Sequence, residues 1–467
     1  MDNQNIKQNI WNKLIEPKKQ ISEKRKIFSN TSLKKLIIPL FFEQMLVMLV
    51  GIVDTLVVSY VGEAAVSGVA LVNMFNTIFI YLFTALASGG SVVISQYIGK
   101  KDKENSDISA GQLMTVSILF SLAIVLIVLI FDRQLLQILF GKVDDDVMEA
   151  CIIYLRISAC SYVFLAIYNT GAALYRSIGK TNITMNISII SNIINGIGSL
   201  IGIFILHAGV AGVAYPSLLA RIFSAVAITV LCFKNKNDVS LRINQIINWN
   251  ATMIKRILKI AVPNGIENGL FQLAKVALSS IIALFGTSQI AANGVAQSFW
   301  SMAALIGVAM GPAFITVIGQ CMGAEDFEAA DYYMKKLMKI TFIASIVWNA
   351  LILVIVPYAM KLYALPDDTV RLVIILVIIH NVFNTVLFPL SGPLSYGLRA
   401  AGDVKFTMYV SIFATVICRV FLSVVFAIWM NLGVIGITLA MCFDWGIRAL
   451  IFTKRYKSGK WKIFKVI

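Results

Sequence analysis

Charge is scarce in this chain of 467 residues: 14% of positions are Asp, Glu, Lys or Arg, against 58% that are hydrophobic. A soluble globular chain carries about 25% charged and about 45–50% apolar residues. A soluble multidomain enzyme of this length is therefore excluded. Histidine is scarcer still. His207 and His380 are the only two, too few to build a metal site, and no Ser/His/Asp set is evident. The six cysteines (Cys151, Cys160, Cys232, Cys321, Cys418, Cys442) are scattered through apolar stretches with no CxxC pair. They read as small hydrophobes rather than as metal ligands or a disulfide framework. The first 35 residues lack an apolar core and a small-residue cleavage site, so they are not read as a signal peptide. Polar, basic and carrying Pro17, they read as a solvated cytoplasmic arm.

What fills the chain instead is long uncharged runs, each about the 20 residues needed to cross a hydrocarbon core of about 30 Å. The expected fold is an all-α polytopic membrane protein. Six helices are placed near 36–60, 64–97, 108–131, 148–175, 183–206 and 210–233, and six more near 257–285, 288–321, 337–360, 369–397, 404–430 and 433–453. These twelve transmembrane helices divide into an N-lobe (36–233) and a C-lobe (257–453), joined by a linker (234–256) and flanked by basic tails (1–35 and 454–467). The formal charge of +16 could suggest a nucleic-acid binder, so the placement of the basic residues decides. Of the 40 Lys and Arg, 32 fall on the side of the two termini, and only Arg133, Lys142, Lys361 and Arg371 on the other. The positive-inside rule then puts both termini in the cytoplasm of a cell-membrane protein. The lipid bilayer, with some affinity for its anionic headgroups, accounts for the basic charge, and no nucleic acid is needed.

The two halves resemble each other at a fixed offset. Pro39 and Pro263 differ by 224 positions, as do Glu43 and Glu267, Gly62 and Gly286, Gln96 and Gln320, and Gly99 and Gly323. Arg176/Arg399 and Gly179/Gly402 differ by 223, then Gly209/Gly433 and Gly212/Gly436 by 224. Six spans per half make these parallel repeats related by an axis along the membrane normal, an arrangement transporters use. The expected architecture is thus two pseudo-symmetric six-helix bundles.

Charged groups inside spans usually face a cavity or a partner. Asp54 stands in the apolar run VGIVDTLVVSY with no basic neighbour in sequence. Glu43, eleven residues earlier, shares its helix face about 16 Å away. A buried Asp can hydrogen-bond backbone freed by a bend, but membrane depth favours a functional reading of Asp54. Glu43 and Glu267 each follow a proline by four residues, where solvating a helix start is the alternative. Asn195 and Ser199 lie one turn apart; they could coordinate a cation, hold a carboxylate, or serve as helix–helix glue. Asp444 and Arg448 are an i, i+4 pair in the last span, and with Arg419 in the span before they suggest a structural ion pair across the two helices. Lys275 has no assignable partner, and His380 reads as a hydrogen-bonded packing residue. Pro389 and Pro393, and Pro216 and Pro312, predict broken or bent segments.

In order along the chain, Pro39 with GIVDTLVVSYVG, then ALYRSIGKTNI, its echo GLRAAGDVKF, and the closing DWGIRALIFTKRYKSGKW resemble the multidrug and toxic compound extrusion (MATE) transporters. The similarity covers essentially everything after residue 30. It implies two six-helix bundles facing each other across a cleft, exporting cationic and aromatic compounds against inward Na⁺ or H⁺ flow. The family's first-helix Asp matches Asp54 and its fifth-helix Asn matches Asn195. The polar residue four later is Ser199, whose hydroxyl ligates more weakly than a carboxylate. A possible Na⁺ at Asp54 is the one metal expected, and no cofactor. Members of the sodium-coupled branch carry acids where this chain has Phe271 and Phe388, so coupling would fall on the N-lobe.

The expected function is an antiporter, acting as a monomer, whose small-molecule substrate is an organic cation held by Glu43 and Glu267, one carboxylate per lobe. A lipid-linked precursor flippase of the same superfamily is the nearest rival. It would need a strongly basic cavity, for which only Lys275, Arg156, Arg221 and Arg419 are available. A membrane-embedded enzyme would need clustered His, Asp or Cys, which the sequence lacks.

Overall fold

The structure, a computed structural model, describes residues 14–141, 144–234, 239–363 and 365–467. The first 13 residues of the basic tail and residues 235–238 of the expected linker lie outside the described residues. The first six spans are built from α1 (Asn30–Val58), α2 (Glu63–Gly99), α3 (Lys103–Ile130), a short α4 (Asp132–Phe140), the pair α5 (Asp145–Cys160) and α6 (Tyr162–Ser177), α7 (Thr181–Leu200) and α8 (Ala211–Phe233). After the short α9 (Ile243–Ile247) come α10 (Ala251–Ile282), α11 (Thr287–Gly323), α12 (Phe327–Met360), α13 (Asp367–Ser391), α14 (Pro393–Ala400), α15 (Val404–Ile412), α16 (Val420–Ser423) and α17 (Gly433–Lys457). Among the described residues, eleven helices are long and apolar enough to cross a membrane, and α5 with α6 supplies a twelfth as one bent span. Their outer faces carry Leu126, Ile130, Val347 and Val354, all well exposed. Lipid tolerates such a surface because helices satisfy their backbone groups internally.

The chain forms two compact units, Lys35–Gly265 and Ile266–Ile467 with the residues up to Lys34. In the first, Val69, Val72, Leu155, Tyr162 and Val213 form the buried centre. In the second, Ala292, Ala296 and Ala303 of α11 are fully buried beside Val373, Leu376 and Val434. Alanines at that spacing let helix backbones approach closely, the usual basis of packing in lipid.

Two polar segments are more ordered than their composition suggests. The stretch after Val239 is pinned to α3. Asp107 accepts from the backbone N–H and hydroxyl of Ser240 at 2.8 and 3.2 Å, and Gln112 donates to the carbonyls of Gln245 and Asn248. The described part of the arm expected to be solvated is instead docked on the start of α12. Arg25 makes an ion pair with Asp326 at 2.9 Å and a second with Glu328, while Glu16 pairs with Lys336 at 2.6 Å. Opposite charges on the two segments, together with the Tyr333 hydroxyl donating to the Phe28 carbonyl, explain the docking.

The proline expectation is met at one place and replaced at another. Between Pro389 and Pro393 the tenth span breaks at Gly392, with Pro393 opening α14. Pro216 and Pro312 lie inside continuous helices. The fourth span, which has no proline, is the one that bends, by 42° at Ser161. There the Ser161 hydroxyl donates to the Ser158 carbonyl at 2.5 Å, a local back-bond that competes with the helical ladder.

Candidate ion-coupling site

Asp54 is brought into the first unit by α1, half-buried and facing α7. Its Oδ1 accepts from Asn195 Nδ2 at 2.9 Å. Asn195 is buried, and its Oδ1 accepts from the Ser217 hydroxyl of α8 at 2.7 Å. A single chain of hydrogen bonds thus crosses three helices, carboxylate to amide to hydroxyl. Ser199 lies one turn beyond Asn195, fully buried, with a hydroxyl that has no hydrogen-bond partner among the described residues and makes no bond to Asp54 or Asn195. The structure therefore joins Asp54 to Asn195 directly and leaves Ser199 as a spare oxygen nearby in sequence. Oxygen donors of this kind suit a hard cation. Among the described residues no group of three His, Cys, Asp or Glu could hold a metal.

Two residues of this site escaped the sequence reading. Ser217 looks like any helix-packing serine until its hydroxyl is seen to donate to Asn195. Arg221, one turn further along α8, was visible only as a charge within a span. Its Nη1 donates to the Ser161 hydroxyl at 2.5 Å, at the bend of the fourth span.

The repeat-matched glutamates have a different setting. Glu43 is buried; its Oε1 accepts from Arg176 Nη2 at 2.6 Å and from the Tyr168 hydroxyl at 3.2 Å, and its Oε2 from Thr184 at 3.1 Å. Glu267 takes both its bonds from Arg399 Nη2, at 2.6 and 2.7 Å. The sequence named no partner for either carboxylate; Arg176 and Arg399, themselves a repeat-matched pair, compensate the charge of each.

The second unit is aromatic where the sodium-coupled branch would have acids. Lys275 lies over the Phe271 ring at 4.9 Å. His380 stacks on Trp300 with centroids 5.1 Å apart, and Trp445 packs against both His380 and Phe388. Asp444 pairs with Arg448 at 2.9 Å, as the i, i+4 spacing suggests. The link across to the preceding span comes from Thr415, whose hydroxyl lies 3.4 Å from both Asp444 oxygens. Arg419 is buried and feels the charge of Asp444, yet forms no ion pair with it among the described residues.

One family model, MatE, matches residues 39–201 and again residues 263–425, covering both halves of the repeat. The chain is 26% identical over 461 residues to the uncharacterized transporter YisQ of Bacillus subtilis, covering 94% of this chain and 98% of that one. It is 21% identical over 458 residues to the probable multidrug resistance protein NorM of Thermotoga maritima, covering 96% and 95%. Among solved structures it is similar to the outward-facing conformation of a multidrug resistance MATE family transporter of the MOP superfamily. That match has a TM-score of 0.87 and 22% identity, over 97% of this chain and 98% of that one. With the repeat, the spans and both matched halves in agreement, the chain belongs to the MatE family of multidrug efflux transporters.

Proposed function

We propose that the protein is a secondary active antiporter that exports organic cations and aromatic compounds in exchange for Na⁺ or H⁺ by alternating access, as a monomer with both termini in the cytoplasm. The observation that supports this best is the Asp54–Asn195–Ser217 chain. A carboxylate at membrane depth can hold a proton, or can ligate Na⁺ together with the Asn195 carbonyl oxygen and the hydroxyls of Ser217 and Ser199. Ion entry would break the existing bonds among these groups and so act on α1, α7 and α8 together. That is how one small ion can change the preference of a unit between two states. The flippase reading would need the cations within the spans to converge on a pyrophosphate. Arg156 is already paired with Asp132 at 2.5 Å, which removes one of its four candidates.

The test is counterflow in proteoliposomes under an imposed Na⁺ or pH gradient, with a cationic dye as substrate. Asp54→Asn is expected to insert and fold normally but to lower gradient-driven export to the level of empty vesicles. Wild-type rates from that variant would overturn the assignment.

A further inference from the structure

Arg221 is a half-buried guanidinium inside a membrane-spanning helix, and no carboxylate among the described residues comes within ion-pairing distance of it. Such a charge is costly unless it is paired or used. Its one hydrogen bond among the described residues goes to Ser161, which is itself almost fully buried and bonded to Ser158. Four residues before it on the same helix face stands Ser217, the last member of the Asp54 chain. The charges of Arg221 and Asp54 act on one another, and the other titratable groups reaching Arg221 are Tyr154 of α5 and Tyr162 of α6. Both tyrosine hydroxyls are taken, Tyr154 by Asn73 at 3.3 Å and Tyr162 by Asn76. Among the described residues Asp54, reached through Ser217 and Asn195, is the carboxylate nearest in this network to Arg221, and Ser161 is the neutral group that holds the guanidinium while Asn195 holds Asp54.

We propose that Arg221 is a tethered cation that competes with the coupling ion for Asp54. In the structure the guanidinium rests on Ser161 while Asn195 holds Asp54; when Asn195 releases Asp54, the guanidinium swings toward the carboxylate. When the coupling ion arrives, the guanidinium is displaced onto Ser161, at the bend between α5 and α6. Two consequences follow from charge alone. An ion entering beside a fixed guanidinium binds more weakly than it would beside Asp54 alone, and it leaves faster. Occupancy of Asp54 is also reported at the fourth span, which has no contact with the ion. Arg221 is a positioning residue in this account, because it acts through Asp54. The inference rests on the reading of Asp54 as the coupling residue.

The two can be tested separately in full-length protein reconstituted with the cationic dye. The readout is the half-saturating concentration of the driving cation, measured for Na⁺ at fixed pH and for H⁺ without Na⁺, alongside maximal rate. Arg221→Gln is expected to lower that concentration by about tenfold, the scale of removing one nearby charge at intermediate dielectric, and to reduce the maximal rate through slower ion release. Arg221→Lys should stay close to wild type. Ser161→Ala removes the alternative resting place and should shift the half-saturating concentration the opposite way, upward. A general packing defect would not produce shifts of opposite sign. Unchanged half-saturation in folded Arg221→Gln, or a shift in the same direction for Arg221→Gln and Ser161→Ala, overturns the proposal. If Arg221→Gln does not fold, Arg221→Lys and Ser161→Ala decide: an unchanged Ser161→Ala overturns it. Normal export by Asp54→Asn would instead remove the reading beneath it.

Discussion

Glu43 and Glu267 show how far a residue's neighbours decide its chemistry. From sequence each is a carboxylate that binds an organic cation or else solvates a helix start, and each is held by an arginine 133 or 132 residues away. The side chain of Glu43 is 4% exposed and that of Arg176 is 21%, while Glu267 and Arg399 are at 15% and 9%. Pairs this buried are expensive to break, because the survivor keeps its charge without a partner. Glu43→Gln and Glu267→Gln are each expected to cost about 2–4 kcal/mol, the lower part of the range reflecting the partial exposure of these pairs. Replacing both partners with apolar residues, Glu43→Leu with Arg176→Met, should cost less than either single change. Thermal unfolding in detergent checks both statements. For transport, an organic cation could reach these carboxylates only by exchanging with an arginine. The expected outcome is an equal loss for matched cationic and neutral dyes, in proportion to lost folded protein. A loss confined to the cationic dye would restore the recognition role.

At the scale of elements, the repeat is written in the backbone as well as in the residues. Left-handed conformations recur at Lys101 and Glu325, at His207 and Asn431, and at Gly62 and Gly286, each pair 224 positions apart. Glycine accepts that conformation freely at the last pair; lysine, glutamate and histidine give no such signal, so their turns were not legible in sequence. After the first of these turns Asp102 caps α3 by accepting from the Asn105 N–H at 3.1 Å, and Asp326 caps α12 by accepting from Ala329 at 2.9 Å. Hydropathy placed the spans well, because lipid demands long apolar runs of any helix that crosses it. It could not place the bend at Ser161 or the wide-turn segments Phe413–Arg419 and Val424–Trp429, since a local change in hydrogen-bond register leaves composition untouched. Asp54 and Asn195 were legible for the same reason as the spans: polar residues stand out against apolar runs. Ser217 was not, because serine is common in helix packing. The Lys101 turn also carries Lys100 and Lys103, and the charge bias predicts that it lies inside the cell. Single cysteines introduced near Asp145 and Asp367 should therefore react with an impermeant thiol reagent added to intact cells, and one at Lys101 should not. Labelling of the Lys101 turn from outside would reverse the orientation.

Across the whole molecule the repeat is faithful in scaffold and unfaithful in chemistry. The offsets that relate the buried ion pairs and the left-handed turns carry Asp54 to Leu278, Asn195 to Cys418, Ser217 to Met441 and Arg221 to Trp445. Leu278, Met441 and Trp445 all belong to the buried apolar centres of the second unit. The polar chain of the first unit thus has an apolar and aromatic counterpart in the second. The repeat supplies two equivalent frames, but among the described residues only the first holds a carboxylate in such a polar chain, Asp54, that is not paired with an arginine. Asp444 is committed to Arg448, and Glu267 to Arg399. The expected stoichiometry is therefore one coupling cation per transport cycle. It can be read in proteoliposomes from the substrate gradient that just balances a known ion gradient, where one ion per cycle gives a slope of one and two ions a slope of two. His380→Gln provides the control within the second unit. It removes a ring stacked on Trp300 and edge-on to Trp445, so it should lower thermal stability while leaving the ion dependence of export unchanged. A slope of two, or an altered half-saturation for the driving cation in His380→Gln, would place a second coupling site in that unit and end the argument from asymmetry.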